Sequence, residues 1–299
     1  MPRIPDSMIP RLRERMMKMK QTPEPDPVET ERKLMNFAGA AMRNLLRKGT
    51  ERKLISPGCF RAALLVPKTV SCSGTVMYLH GGGYCTGDLD YACLYGEVLA
   101  SETGAVTFCP AYRLAPENPF PAALDDALDA YEWLLNEYPE KPVALIGESA
   151  GGGLCYALAL KLKEKGLPLP AGIVTISPWT DLTLSGASHT YNRDADPSLT
   201  TEKLAVFAAD YRGEKDPADP FLSPLFANLQ GLPESLIFVG GDEILLEDAR
   251  RMHAALHKAG CRSELTVAEG LWHAYVLYGL KAREADSLKI RDFLRSRLE

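Results

Sequence analysis

Ser149 stands in the run Ala144-Leu-Ile-Gly-Glu-Ser-Ala-Gly-Gly, where an apolar, strand-like stretch passes through Gly-x-Ser-x-Gly into a helical pattern. A serine raised on such a strand-to-helix turn needs small neighbours, and Gly147, Ala150 and Gly151 supply them. The motif alone says little in a chain with 24 glycines, where an ordinary turn ending in a helix-capping serine has the same letters. A serine hydroxyl becomes a useful nucleophile only with a base, an acid that orients the base, and donors for the developing oxyanion. His273, in Glu269-Gly-Leu-Trp-His-Ala-Tyr, follows a strand-like run that ends near Val267. Asp242 follows the apolar run Leu236-Ile-Phe-Val-Gly-Gly directly. All three residues fall just past the carboxyl ends of strand candidates, the edge of an open parallel sheet where ligands bind.

Rivals exist for each role. Glu243, Glu247 and Asp248 compete with Asp242, which is preferred because it comes first after the strand. His253 and His257 are four apart on one helix without the glutamate of a zinc-protease pattern, so they read as a solvated face and not a metal site. His189 follows no strand candidate. His80 opens the second notable motif, Tyr78-Leu-His-Gly-Gly-Gly-Tyr84, again directly after an apolar strand. Three successive glycines let a backbone approach a ligand and present bare N–H groups. No dinucleotide fingerprint or Gly-Lys-Ser/Thr ending accompanies them, which favours an oxyanion hole over a phosphate loop.

The elements that must position these groups alternate. Strands are expected at Thr75–Leu79, Ala105–Cys109, Val143–Ile146, Ile173–Ile176, Ser235–Val239 and Glu264–Val267, with helices near Tyr91–Ser101, Ala122–Asn136, Ala150–Lys165, Leu245–Ala259 and Ala282–Arg297. That rhythm signifies βαβ units and a mostly parallel sheet. The Asp-, Pro-, Ser- and Thr-rich stretch 181–224, with one helical piece at Glu202–Tyr211, reads as an insertion between sheet strands. Before residue 50 the pattern is helical, basic and amphipathic, with Ile9, Leu12, Met16 and Met19 at helical spacing, then a proline-rich break at Thr22–Pro27 and a second helix from Val28 to Leu46. A helix laid over the body of the protein is the preferred reading of the methionine stripe; a membrane-surface helix is the rival.

Composition excludes some functions. The 299 residues are 46% hydrophobic and 24% charged, which is ordinary for a globular α/β protein. A net charge of −5 offers nucleic acid no general attraction. Seven scattered cysteines without Cys-x-x-Cys spacing point to free thiols in a reducing compartment. With no apolar leader or spanning segment visible, the expected location is the cytoplasm, without stable membrane insertion.

Taken together, His80-Gly-Gly-Gly83, Tyr112-Arg-Leu-Ala-Pro-Glu117, Gly147-Glu-Ser-Ala-Gly151, Ser177-Pro-Trp-Thr-Asp181, Gly241-Asp-Glu-Ile-Leu245 and Trp272-His273 resemble the hormone-sensitive lipase family of α/β-hydrolases, particularly its bacterial acetyl-esterase-like members. The order Ser, Asp, His agrees with that fold. The resemblance covers the chain from about residue 50 onward. It implies an α/β-hydrolase core at 51–180 and 225–299, with a helical cap formed by 1–50 and by the insertion 181–224. It makes Ser149 the nucleophile, His273 the base and Asp242 the acid, with Gly82, Gly83 and the Ala150 N–H as the oxyanion hole. It also implies a possible homodimer. Glu148 departs from the aspartate common in the family. Tyr84, Trp179 and Tyr191 are candidate pocket walls, although aromatics after strands are as often core.

The expected activity is hydrolysis of short-chain acyl esters through an acyl-enzyme, with no cofactor and no metal. An amidase or arylformamidase would use the same triad. A non-catalytic binder, like the gibberellin receptors that resemble this family, would lack the histidine present here. A membrane-associated lipase is a third reading.

Overall fold

The computed structural model describes residues 4–22, 26–46 and 49–299. Positions 23–25 of the expected proline-rich break, and 47–48 at the end of the second helical stretch, lie outside the described residues. The elements run α1 (Ile9–Lys20), α2 (Pro27–Leu46), β1 (Thr50–Ile55), β2 (Arg61–Pro67), β3 (Thr75–Leu79), α3 (Leu89–Thr103), β4 (Val106–Ala111) and α4 (Ala122–Glu137). There follow β5 (Val143–Glu148), α5 (Ala150–Lys165), β6 (Ile173–Ile176), α6 (Ser188–Tyr191), α7 (Thr201–Arg212), β7 (Ser235–Gly240), α8 (Leu246–Lys258), β8 (Ser263–Ala268) and α9 (Glu284–Leu298). The strands form one sheet in the order β1-β2-β4-β3-β5-β6-β7-β8. All neighbours from β4 through β8 are parallel, whereas β2 is antiparallel to both β1 and β4. The expected α/β-hydrolase architecture is present, with its largely parallel sheet flanked by helices.

Strand alternation divides the interior into two cores. On β5, Val143 and Leu145 face one side while Ala144 and Ile146 face the other. On β7, Ile237 and Val239 join the first core and Leu236 and Phe238 the second. Helices α4, α5 and α8 cover the first side through Ala127, Leu154 and Met252. The second is covered by α3 and α9 through Leu99, Ile290 and Leu294. Burial on both faces explains why the central strands read as continuous apolar runs and were visible in the sequence.

The first two strands were not expected. β1 is Thr-Glu-Arg-Lys-Leu-Ile, an edge strand with exposed charges, and β2 is rich in alanine and leucine, which do not signal a strand. Antiparallel pairing of β1 with β2, and of β2 with β4, makes them strands. In α1, Ile9, Leu12 and Met16 lie against the second core as expected for a helix on the body of the protein, but Met19 from the same stripe is exposed. Among the described residues no helix is long and apolar enough to cross a membrane. All seven cysteines are free.

The stretch 181–224 leaves the sheet between β6 and β7 and carries α6 and α7. Its root is fixed by Asp248 of α8, fully buried, whose Oδ1 accepts the N–H groups of Thr180 (2.9 Å) and Asp181 (3.0 Å). Asp181 in turn accepts from Thr183 N–H (2.9 Å) and pairs with Arg251 (2.8 Å). Asp248→Ala therefore orphans two buried donors at about 1–3 kcal/mol each. A urea midpoint lowered to match a loss of about 2–6 kcal/mol is expected, with Asp248→Asn, which keeps an acceptor, losing clearly less. Equal midpoints for wild type and Asp248→Ala would contradict this anchoring.

Candidate active site

β5 ends at Glu148 and α5 begins at Ala150, leaving Ser149 alone at the turn with φ 55° and ψ −123°. A residue with a side chain rarely adopts a positive φ, and such strain costs on the order of 1–3 kcal/mol. The surrounding bonds over-determine it. The Ser149 N–H donates to Ile176 O (2.9 Å), and its carbonyl accepts from Gly152 N–H (3.0 Å), Gly153 N–H (3.2 Å) and Trp179 N–H (2.9 Å). The turn also passes so close to β3 that a Cβ on Gly151 would overlap the Leu79 carbonyl. The Ser149 side chain therefore stands at the carboxyl end of the central strand, directly opposite the Gly81–Gly83 loop. A Cβ built on Gly81 would lie 3.0 Å from the Ser149 Cβ.

That loop is shaped by its own glycines and by Glu148. Gly82 and Gly83 have φ of 105° and 62°, values open to glycine at low cost. Gly81 N–H is taken up by Glu148 Oε1 (2.6 Å), while among the described residues neither Gly82 nor Gly83 N–H has an internal acceptor. Tyr91 Oη also donates to Glu148 Oε1 (3.3 Å). Burial pushes the Glu148 carboxyl up to about 7, partly opposed by the Gly81 hydrogen bond. His80 packs inside, stacked on Tyr112 with ring centroids 4.3 Å apart, and its Nδ1–H donates to Gly81 O (2.7 Å). Burial drops it to about 4, so it is neutral and shapes the loop.

His273 follows β8 on a loop whose next residue, Ala274, also has a positive φ of 53°. The carboxylate against it is Glu243: Oε2 lies 3.3 Å from His273 Nδ1. This placement differs from the expectation, which put Asp242 beside the histidine. Asp242 does not face the histidine; its Oδ2 pairs with Arg13 Nη1 at 2.8 Å on the partly exposed side. The reason lies in the turn after β7, where Gly241 N–H donates to Ala268 O (2.8 Å) and Asp242 N–H to Leu271 O (3.0 Å). With Asp242 tied to the rim, the inward position falls to the next residue, and Glu243 is fully buried. Ser177 completes the arrangement, its Oγ donating to Glu243 Oε2 (2.9 Å) and accepting the Ala274 N–H (2.9 Å). The serine turn and the histidine loop thus converge on residues 176–177. Burial raises the Glu243 carboxyl, opposed by His273 and Ser177. For His273, burial disfavours the cation, but the contact with Glu243 and its charge outweigh it and raise the imidazole above its ordinary 6.5.

The insertion grips the turn that carries Glu243 from outside. Asn192 Nδ2 donates to the carbonyls of both Gly241 and Glu243 (2.9 Å each), and Asp196 Oδ2 accepts Ile244 N–H (2.9 Å). Neither residue belongs to a motif, and only their place beside a strand-end turn could have signalled them. Of the expected pocket walls, Tyr84 is stacked on Tyr211 at 3.8 Å and Trp179 is fully buried, both within the first core. Tyr191 is 52% exposed and donates to Glu247 Oε1 (2.7 Å) on α8. His253 and His257 both engage Ser263, and His189 engages Thr201. A cavity of about 330 Å³ lies between α1 and the insertion, lined by Met17, Lys20, Leu199 and Ile244 among others.

The helices before residue 50 clasp both halves of the site. Arg32 of α2 donates to the carbonyls of Cys85 (2.7 Å) and Ala115 (2.8 Å) and forks onto Glu117 (2.7 and 2.6 Å), next to the glycine loop. Arg13 of α1 reaches Asp242, Gly270 O (3.1 Å) and Ala195 O (2.6 Å).

Residues 76–277 match the model of an α/β-hydrolase-fold family. An acetyl-hydrolase of Streptomyces hygroscopicus is 42% identical over 207 residues, 67% of this chain and 69% of that one. An esterase of Acinetobacter venetianus is 34% identical over 217 residues, 72% of each chain. Among solved structures, an esterase of the bacterial hormone-sensitive lipase family superposes with a TM-score of 0.92 at 34% identity, covering 98% of this chain and 99% of that chain. The chain belongs to the α/β-hydrolase family, in its bacterial hormone-sensitive lipase branch of carboxylic ester hydrolases.

Proposed function

We propose that this ester hydrolase is a serine carboxylesterase acting on short-chain acyl esters, with Ser149 as nucleophile, His273 as base and Glu243 as orienting acid. The observation that carries the reading is the buried Glu243 carboxylate 3.3 Å from His273 Nδ1, at the same sheet edge as a strained serine turn. With Nδ1 directed at the acid, Nε2 is the atom left to take the Ser149 proton. The serine oxygen adds to the ester carbonyl, and the oxyanion is held by the N–H groups of Gly82, Gly83 and Ala150. His273 then gives the proton to the departing alcohol, leaving an acyl-Ser149. Water repeats the sequence: His273 takes its proton, hydroxide adds to the acyl carbon, and the carboxylic acid leaves as Ser149 is reprotonated. Glu148 takes no proton in this cycle; by holding Gly81 N–H it aims the two following N–H groups at the oxyanion.

The preference for short acyl chains is supported by the acetyl-hydrolase among the relatives. The insertion and the helices before residue 50 are proposed to form the cap, since both lie on the loops that carry the site. A p-nitrophenyl ester series from acetate to long chains, with a matched anilide, tests substrate class. Highest kcat/KM on the shortest esters is expected, and an anilide rate equal to the ester's would favour an amidase instead. Ser149→Ala should keep only residual catalysis, roughly 10³ to 10⁴ over water; near-normal turnover would remove the reading.

The acid assignment makes a separate prediction. His273 must be neutral to accept a proton, so kcat/KM falls as pH drops through a midpoint above about 6.5. Removing the Glu243 charge removes what raises that midpoint. Glu243→Gln is therefore expected to move it to lower pH and to cut kcat by about 10³- to 10⁴-fold. Asp242→Asn should remain within about tenfold of wild type. The opposite ranking would return the acid role to Asp242.

Glu148 gives a further test. Burial raises its carboxyl from an ordinary 4.5 to about 7, so its charged form burdens the fold fully above pH 7 and not below 4.5. Glu148→Gln keeps an acceptor for Gly81 and should melt higher than wild type at pH 8, with the difference vanishing near pH 4.5. Glu148→Ala, which frees the loop, should lose about 10- to 100-fold in kcat. Parallel melting curves across pH would contradict the first expectation.

A further inference from the structure

Three loops and one helix meet at a single guanidinium. Arg13 Nη1 lies 2.8 Å from Asp242 Oδ2, on the turn that carries Glu243, and 3.1 Å from Gly270 O, on the loop that carries His273. Its Nη2 donates to Ala195 O of the insertion (2.6 Å), the residue before the Asp196 that holds Ile244 N–H. The planar fork fixes the directions of these bonds together, which a lysine ammonium on a flexible stem cannot do. The contacts are one residue from the acid on one loop and three from the base on the other.

We propose that Arg13 is a positioning residue, which sets the separation of the acid and base loops and makes the Glu243–His273 contact depend on the docking of α1. This rests on the triad reading above. Arg13 touches no reacting atom. Its effect passes through the loops: without the fork, the acid turn keeps its bonds to Asn192 and Asp196, but the bridge from Asp242 to the histidine loop at Gly270 is lost.

The sign of a pH shift separates this role from a simple charge effect. The charged groups acting on His273 are Glu243, Asp196 and Glu148, all of which favour the imidazolium. Removing the Arg13 cation and leaving Asp242 unpaired would, by charge alone, move the midpoint of the kcat/KM profile to higher pH. Loosening Glu243 from His273 moves it to lower pH. Lys18 provides the control for charge, since it lies on the same helix and its Nζ meets Glu14 Oε1 (2.7 Å) of that helix, not the Asp242 turn, the histidine loop or the insertion.

The experiment measures kcat, KM and the pH profile on p-nitrophenyl acetate for the whole chain as wild type, Arg13→Gln, Lys18→Gln and Ser149→Ala. Arg13→Gln should lower kcat about 3- to 10-fold, leave KM within about twofold and shift the midpoint downward, whereas Lys18→Gln should change neither kcat nor midpoint. An unmoved or raised midpoint in Arg13→Gln, or the same changes in Lys18→Gln, overturns the proposal. If Arg13→Gln does not fold, Arg13→Lys is read by the same criteria, because it keeps the charge and loses the fork. An inactive Ser149→Ala beside an unshifted Arg13→Gln removes only the role of Arg13; an active Ser149→Ala removes the triad reading itself.

Discussion

At Ser149 the chain must leave a buried parallel strand and enter a helix within one residue, and the only way to do so while presenting a side chain is a backbone angle that side chains resist. The neighbouring structure absorbs that cost. Ile176, Trp179, Gly152 and Gly153 all bond to the serine's peptide groups, and Gly151 lets α5 begin against β3. Those requirements extend outward. Bonding to Ile176 demands that β6 lie next to β5, and bonding to Trp179 demands that the chain turn back over the serine before the insertion departs. Positive φ recurs around the same edge at Tyr84, Ser177 and Ala274. Strain concentrated where four loops converge is what a pre-formed site looks like, since a relaxed backbone would let the groups drift.

The second constraint is electrostatic. Glu243 and His273 are both fully or nearly fully buried, and a lone charge there would be costly. The Ser177 hydroxyl meets the carboxylate, while Asn192 and Asp196 hold the backbone on either side of it. The insertion therefore holds the turn that carries Glu243, beside His273. The glycine-loop side follows the same logic, with Glu148 beneath the loop and Arg32 clasping its far end.

Much of this was legible in the sequence because burial on two faces writes itself as continuous apolar runs. β5, α5 and the glycine motifs at both ends of the site could be read from residue types alone, and α5 was bounded at Ala150 and Lys165 as observed. The charged edge strand β1 and the alanine-rich β2 were not legible, since their partners, not their composition, make them strands. In the sequence Asp242 ranks ahead of Glu243 because the first carboxylate after a strand is the simplest expectation. The direction in which each side chain of a turn points is set by the bonds of Gly241 and Asp242 to the neighbouring loop, a tertiary fact. For the same reason, the hold of Asn192 on the turn that carries Glu243 cannot be read from residue types.

The claim on which all of this rests is that Ser149 is a nucleophile activated in place. Treating the protein with one equivalent of a reactive organophosphate and locating the adduct by peptide mass spectrometry tests it most directly. The account predicts loss of esterase activity in proportion to a single adduct on Ser149. An adduct on another residue accompanying the loss of activity, or full activity with Ser149 modified, would contradict it.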